Sequence, residues 1–151
     1  MTSIIATKKN KAELVNQLQK PFRNESLGQV DGLDTDEIAA LSEGLERCKT
    51  LADFALPRGL KLLVDAEYTY MNDGISVVAL AMMKHYNKTE AKIGNTYQCY
   101  LKQALDTITE ELEIVTQNDG AAHCSKSSFF VQKFNFDFPR KLSIFFGVKN
   151  S

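Results

Sequence analysis

The sequence predicts an α/β protein in which helices alternate with the strands of a parallel sheet. Two short segments carry this prediction: the apolar run Leu60–Val64 stops at Asp65, and a segment that begins at Ile93 ends near Gln98. Short apolar runs that end in polar residues are typical of buried parallel strands. Amphipathic helical stretches lie before, between and after these two segments, so we expect right-handed βα units with the helices on the outside.

Length and composition narrow the class of protein. A chain of 151 residues is long enough for one domain with its own core. The net charge of -1 gives no reason to expect a nucleic-acid partner. Three scattered cysteines are read as reduced thiols, and with only two histidines no metal-ligand spacing is present, so no metal site is predicted.

Residues 1–33 form a first region that the sequence leaves unassigned. It contains a predicted short helix over 12–19, which Pro21 ends, and a polar loop over 24–32. Residues 1–11 are basic and free of acids but lack arginine, so they do not predict a clear mitochondrial transit peptide.

Residues 34–116 contain the βα material. Asp34 is a predicted helix cap, and Pro57 and Gly59 end the long helix that follows it. The segment 72–74 is a predicted cap for a second helix, and a third helix is expected to start near Lys102. The apolar face of the first of these helices comprises Ile38, Leu41, Leu45, Cys48, Ala52 and Ala55; that of the third comprises Leu101, Leu105, Ile108, Leu112 and Val115.

Residues 117–151 form a divergent tail. Seven of the nine phenylalanines lie between Phe129 and Phe146. From Phe134 onward apolar and polar residues alternate, which predicts an edge or hairpin strand, and the segment 142–146 is expected to pair back on it. This Phe-rich tail does not resemble the βα pattern that precedes it.

The polar residues at the two strand ends are the candidate functional groups. Asp65 and Glu67 are two residues apart, so a regular strand places both on one side. Such a pair could act in acid–base chemistry, bind a cation or hydrogen-bond a cofactor, and it could equally form a salt bridge or cap the next helix. A buried amide at Gln98 needs partners, which either a heterocyclic ligand or the backbone could provide.

The sequence around both strand ends resembles the eukaryotic proline dehydrogenase family. The segments that carry the resemblance are Val64–Tyr70 and Asn95–Lys102, and the similarity runs from about Ile38 to Val115. The resemblance implies a distorted (βα)8 barrel, of which this chain is a part, and oxidation of L-proline to pyrroline-5-carboxylate with FAD. It also implies ubiquinone as electron acceptor and a mitochondrial location on the matrix side of the inner membrane, with peripheral association with that membrane.

Specific roles follow from the same resemblance. Asp65 matches the family's active-site aspartate beside substrate and flavin, and Ala66 follows it against the cofactor. Gln98 matches a glutamine that hydrogen-bonds the flavin ring. Glu67 is expected to contact residues that bind the ligand rather than the ligand itself. In this arrangement the flavin supplies the chemistry, while the protein supplies orientation and electrostatics.

The chain departs from the family after Val115. The family continues into a strand with the sequence Lys-Leu-Val-Arg-Gly-Ala-Tyr and later has paired arginines that hold the substrate carboxylate; neither occurs in these 151 residues. We therefore expect a partial or alternatively spliced chain with little or no turnover. The alternatives are a hydroxyproline dehydrogenase, a non-catalytic fragment that binds the full-length enzyme, and another barrel enzyme that uses Asp65 and Glu67 as an acid–base pair.

Overall fold

A computed structural model of the chain describes residues 8–65, 71–98, 101–116 and 130–133, with side chains for all of these except 8–10 and 130–133. Two 3₁₀ turns, Pro21–Arg23 and Leu56–Arg58, lie on either side of the second helix. The other elements, in chain order, are α1 (Lys8–Leu18), α2 (Thr35–Ala55), β1 (Leu62–Val64), α3 (Asn72–Tyr86), β2 (Ile93–Tyr97), α4 (Ala104–Thr116) and β3 (Phe130–Lys133).

The three strands form one parallel sheet in the order β1-β2-β3. Leu62 lies opposite Ile93, and Gly94 lies opposite Phe130. A helix separates each strand from the next along the chain, as parallel pairing requires. The predicted α/β class is thereby confirmed, whereas a (βα)8 barrel and the division at residues 33 and 116 stay predictions.

The described part of the tail is strand β3 (Phe130–Lys133), which runs parallel to β2 and lies at an edge of the described sheet. Helix α4 lies between β2 and β3 along the chain, as parallel pairing requires. The predicted strand from Phe134 and its partner over 142–146 lie outside the described residues.

Helix α2 starts and ends where the sequence predicts. The Asp34 carboxylate accepts a hydrogen bond of 2.9 Å from the backbone N–H of Glu37, and the Glu37 carboxylate accepts one from the backbone of Asp34. This reciprocal capping box satisfies two backbone donors at the helix start. Beyond the helix, Gly59 has a φ of 74°, a left-handed conformation that favours glycine.

The predicted cap of α3 is wrong. The residue preceding this helix is Met71, which provides no side-chain cap, and Asn72 is already the first helical residue. The carboxamide of Asn72 reaches across to Gln98 instead. The side chain of Asn72, which the local sequence predicted as part of the helix cap, therefore forms a tertiary contact with Gln98 instead.

The buried face of α4 is rotated from the predicted one. Leu105 is 54% exposed, whereas Ile108, Glu111 and Val115 are buried. The sequence stripe omitted Glu111 because a carboxylate is rarely fully buried unless it is paired. In the structure that residue points inward, and the face of the helix turns with it.

The hydrophobic core lies on one face of the sheet. Ile93 and Tyr97 belong to this core, and Leu62 and Val64 pack against it. Helix α1 packs on α3, which packs on β2. Successive residues of a strand lie on alternate faces of the sheet. The opposite face therefore carries Leu63 and Asp65 from the first strand and Gly94 and Thr96 from the second. No described helix has the length and apolar character needed to cross a membrane.

Candidate functional site

The carboxyl ends of β1 and β2 bring Asp65 and Gln98 to the same edge of the sheet. Val64 lies opposite Asn95, so continuing this register by one residue places Asp65 opposite Thr96. The side chain of Asn95 donates a 2.9 Å hydrogen bond to Ser76 on α3, which identifies the helix-covered face. Asp65, Thr96 and Gln98 consequently share the face that is turned away from the helices.

The Asp65 carboxylate has no structural partner in the part of the chain that the structure describes. The residue is exposed, and it makes neither a hydrogen bond nor an ion pair with a described residue. It does not cap α3, since that helix begins after Met71. Of the two interpretations that the sequence allowed, a salt bridge or cap is not observed, and the carboxylate is accessible to a ligand.

The Gln98 carboxamide is held from α3. The residue is half-buried, and its Oε1 accepts a hydrogen bond of 3.4 Å from Nδ2 of Asn72. This contact joins the first residue of α3 to the residue that follows β2. A carboxamide held at its oxygen end has a preferred orientation, which a hydrogen-bonding site for a ligand needs.

The remaining residues singled out from the sequence lie outside the described part of the chain. Ala66 and Glu67 follow directly after Asp65, in the segment 66–70. Their predicted roles stay predictions. Tyr97, the residue before Gln98, is buried in the core with 6% of its surface exposed.

Two buried polar side-chain atoms near Gln98 have no hydrogen-bond partner among the residues that the structure describes. They are Oδ1 of Asn72 and Oγ1 of Thr96. Buried polar atoms are usually paired, so each such atom requires an explanation. A flavin ring carries both hydrogen-bond donors and acceptors at its edge, and an amide oxygen, a hydroxyl and the Gln98 carboxamide offer complementary groups. The residues present therefore fit a flavin, the cofactor that the family resemblance implies.

A buried polar network that the sequence did not predict lies behind β2. Glu111 is completely buried, and one of its carboxylate oxygens contacts Lys11 Nζ at 2.5 Å and Ser76 Oγ at 2.6 Å. The hydroxyl of Tyr97 donates to the other oxygen. Burial first, and then the Glu111 charge, raise the pKa of Tyr97 well above its usual range. The hydroxyl thus stays protonated as a donor, and the network fixes the last residue of β2, next to Gln98.

A signal for this network was present in the sequence. Ile108, Glu111 and Val115 are spaced by three and four residues, so Glu111 falls within an apolar stripe. A charged residue at such a position needs a buried partner of opposite charge. The sequence did not indicate which cation it would be, because Lys11 is 100 residues away.

A cavity of about 450 Å³ lies at the other end of the sheet. Lys92, which directly precedes β2, is one of its lining residues, whereas Asp65 and Gln98 follow the strand ends. This cavity is therefore separate from the candidate site. The cavity is lined by Ala52, Asp53, Leu56, Pro57, Tyr86 and Lys92.

No group of three or more His, Cys, Asp or Glu side chains that could hold a metal comes together among the described residues.

The sequence matches known proteins over most of its length. The profile of the family described as proline dehydrogenase matches residues 2–124. Hydroxyproline dehydrogenase of Xenopus laevis is 41% identical over 81 residues, which is 54% of this chain and 17% of that protein. Mitochondrial proline dehydrogenase 1 of Homo sapiens is 38% identical over 95 residues, 60% of this chain and 16% of that protein.

Hydroxyproline dehydrogenase of Mus musculus is aligned over a longer stretch, with 32% identity over 107 residues, 69% of this chain and 22% of that protein. In these relatives the chain thus covers less than a quarter of their length. No solved structure matches the chain significantly.

Proposed function

The chain belongs to the proline dehydrogenase family, and from this premise we propose that its strand ends form part of a site for FAD-dependent oxidation of L-proline to pyrroline-5-carboxylate. One observation carries the proposal: Asp65 and Gln98 lie on the same face at the carboxyl ends of neighbouring parallel strands. Ligands of open α/β sheets and barrels bind at this end of the strands.

Each residue has a role that its position supports. Gln98, oriented by Asn72, hydrogen-bonds the ring of the cofactor. Asp65 presents an exposed carboxylate with no partner among the described residues, and this carboxylate attracts the positively charged ring nitrogen of proline and orients the neighbouring carbon. Ala66 packs against the cofactor, as the family resemblance implies. The chemistry that FAD would supply when bound is acceptance of a hydride from that carbon, after the ring nitrogen has lost a proton so that its lone pair can form the C=N bond.

The full reaction needs more than these groups. The arginines that the family resemblance implies for the substrate carboxylate are not found in the 151 residues, and removing groups that stabilise developing charge costs orders of magnitude in rate. We propose little or no turnover for this chain alone. We also propose ubiquinone as the acceptor and a mitochondrial location at the matrix side of the inner membrane, which the names of the mitochondrial relatives support in part.

Hydroxyproline is the alternative substrate. The identity to hydroxyproline dehydrogenase of Xenopus laevis is 41% and that to human proline dehydrogenase 1 is 38%. Values this close do not separate the two substrates, so both belong in the test.

A non-catalytic role is the second candidate, and the sheet order favours it. Strand β1 is at the edge of the sheet among the described residues, and such an edge presents unpaired backbone groups that can pair with another chain. The partner proposed here is a full-length enzyme of the same family.

Flavin binding by the purified chain tests the proposal. The chain is mixed with FAD and passed through a gel-filtration column, and the visible spectrum and the apparent mass are recorded together. We expect flavin to elute with the protein. L-proline and 4-hydroxyproline are then added anaerobically to separate samples, and we expect at most slow loss of the oxidised flavin band, faster with L-proline.

The outcomes separate the two candidates. A chain that elutes without flavin would contradict the cofactor-binding role of Asp65, Ala66 and Gln98 in this chain. If the flavin-free chain also co-elutes with a full-length proline dehydrogenase, the non-catalytic role is supported. A matched variant, Gln98→Leu, should lose most of the flavin if this amide contacts the ring.

A further inference from the structure

We propose that the hydroxyl of Thr96 is an additional hydrogen-bonding contact of the flavin ring, on the face that it shares with Asp65 and Gln98. This inference rests on the proposed function, because it assumes that a flavin binds at the carboxyl ends of β1 and β2. None of the residue roles that follow from the family resemblance includes this position.

The strand register places Thr96 beside Asp65 and two residues before Gln98. It is on the central strand, opposite Gln132 of β3, and the register of β1 continued by one residue places Asp65 on its other side. Gln98 is two residues further along the same strand, so both side chains turn to the same face. A ligand that contacts both Asp65 and Gln98 would therefore lie close to Thr96.

The hydroxyl of Thr96 lacks a hydrogen-bond partner among the described residues, although the residue is buried. Only 7% of its surface is exposed, and Oγ1 makes no hydrogen bond to any described residue. Burying a hydroxyl without a hydrogen bond costs free energy, so a fold that needed only a β-branched residue here would be better served by valine. A hydroxyl that gains its partner when a ligand binds explains why the cost is tolerated.

The other polar side chains of β2 show that Thr96 is the exception. Asn95 donates to Ser76, and Tyr97 donates to Glu111, both on the helix-covered face. On the opposite face, the Gln98 carboxamide is already oriented by Asn72. Among the polar side chains of β2, only the hydroxyl of Thr96 lacks a hydrogen-bond partner in the part of the chain that the structure describes.

A second unpaired atom supports the location. Oδ1 of Asn72 is also buried without a hydrogen-bond partner among the described residues, and the Nδ2 of the same carboxamide donates to Gln98. The unpaired acceptor thus belongs to a carboxamide that contacts Gln98, and the unpaired hydroxyl belongs to the residue two positions before Gln98. The ring edge of a flavin offers carbonyl oxygens to a hydroxyl donor and an N–H to an amide acceptor.

Two substitutions that keep the β-branched or hydroxyl character of the residue test the proposal. Thr96→Val removes only the hydroxyl and keeps the shape, and Thr96→Ser keeps the hydroxyl. Binding of FAD and of riboflavin, which carries the ring without the adenine nucleotide, is measured by titration of flavin fluorescence. We expect Thr96→Val to raise both dissociation constants roughly fivefold to tenfold, the typical effect of one hydrogen bond. Thr96→Ser should stay close to the unsubstituted chain.

Denaturant unfolding of the flavin-free chains provides the second measurement. Because the hydroxyl has no partner in the fold, we expect Thr96→Val to leave the free energy of unfolding unchanged or to raise it. Weaker flavin binding without lower stability is a combination that a merely structural role would not produce.

The negative outcomes are distinct. If the unsubstituted chain binds flavin and Thr96→Val binds it equally well, the inference about Thr96 is wrong and the proposed function stands. If the unsubstituted chain binds neither FAD nor riboflavin, the proposed cofactor site and this inference both fail. Reduced stability of Thr96→Val together with unchanged binding would assign the hydroxyl to the fold alone.

Discussion

At the end of α3, the amide of Asn87 fixes the start of the strand that leads to the candidate site. Its Nδ2 donates to the backbone oxygen of Ile93 at 2.8 Å, and its Oδ1 accepts from the backbone N–H groups of Lys92 and Ile93 at 2.9 and 2.8 Å. The residue is completely buried. One side chain therefore connects the end of a helix to the first residue of β2.

Replacing this amide should destabilise the chain measurably. We expect Asn87→Ala to lower the free energy of unfolding by about 2–3 kcal/mol, because two backbone N–H groups and one carbonyl lose their partner in the interior. Thr89→Ala is the control, since Thr89 is exposed and should change the free energy of unfolding little. Equal, small effects of both substitutions in urea unfolding would show that water replaces the amide.

At the scale of elements, the Glu111 network holds three helices and a strand together. Lys11 comes from α1, Ser76 from α3 and Tyr97 from β2, and all three contact the same carboxylate on α4. A buried ion pair adds little compared with an apolar pair of the same shape, but removing one partner leaves a charge without compensation. The network therefore specifies how these elements fit together more than it adds net stability.

Removing the cation alone should cost more than neutralising the pair. We expect Lys11→Met to lower the free energy of unfolding by about 3 kcal/mol or more, because Glu111 then lies buried without its cation. The double variant Lys11→Met with Glu111→Gln should recover part of this loss, since no buried charge remains. The carboxamide oxygen accepts from one of the two hydroxyls of Ser76 and Tyr97, and its NH2 group donates to the other. Urea unfolding of the single and double variants measures both effects.

An exposed ion pair provides the matched control. Arg47 and Glu43 on α2 are 2.6 Å apart, but their side chains are 68% and 71% exposed. Arg47→Met should have little measurable effect, because solvent screens exposed pairs. A loss of stability for Lys11→Met as small as that for Arg47→Met would contradict a buried, structurally required pair.

At the scale of the whole molecule, the sheet joins the tail to the rest of the fold. Strand β3 lies in the Phe-rich tail and pairs with β2 over four residue pairs, from Gly94–Phe130 to Tyr97–Lys133. The same strand β2 pairs with β1 on its other side, so it is the centre of the described sheet. The tail thus covers one edge of the strand that leads to Gln98.

Truncation tests this contribution. A chain that ends at residue 116 lacks β3, and we expect its Tm to be roughly 5–10 °C lower, because the ladder hydrogen bonds along one side of β2 are lost. A chain that ends at residue 133 keeps β3 and should unfold close to the full chain. If both truncated chains unfold at the same temperature in a calorimeter, β3 does not contribute to stability.

The sequence predicted the helices and the first two strands because their signals are local. Asp34 begins α2 through a capping box, and Gly59 follows its end with a positive φ. Prediction from the sequence failed where contacts between residues far apart in the chain outweigh the local preferences. Asn72 contacts Gln98 instead of capping α3, and Glu111 turns α4 inward toward Lys11.

The sequence by itself determined the order of elements, the polar residues at two strand ends and the family resemblance. Caps, apolar periodicity and short motifs are properties of neighbouring residues, so the sequence alone reveals them. Only the tertiary structure decided that Asp65, Thr96 and Gln98 share one face and that the Thr96 hydroxyl is buried without a partner among the described residues. The physical reason is that strand register and burial depend on contacts between residues far apart in the chain, which no local pattern specifies.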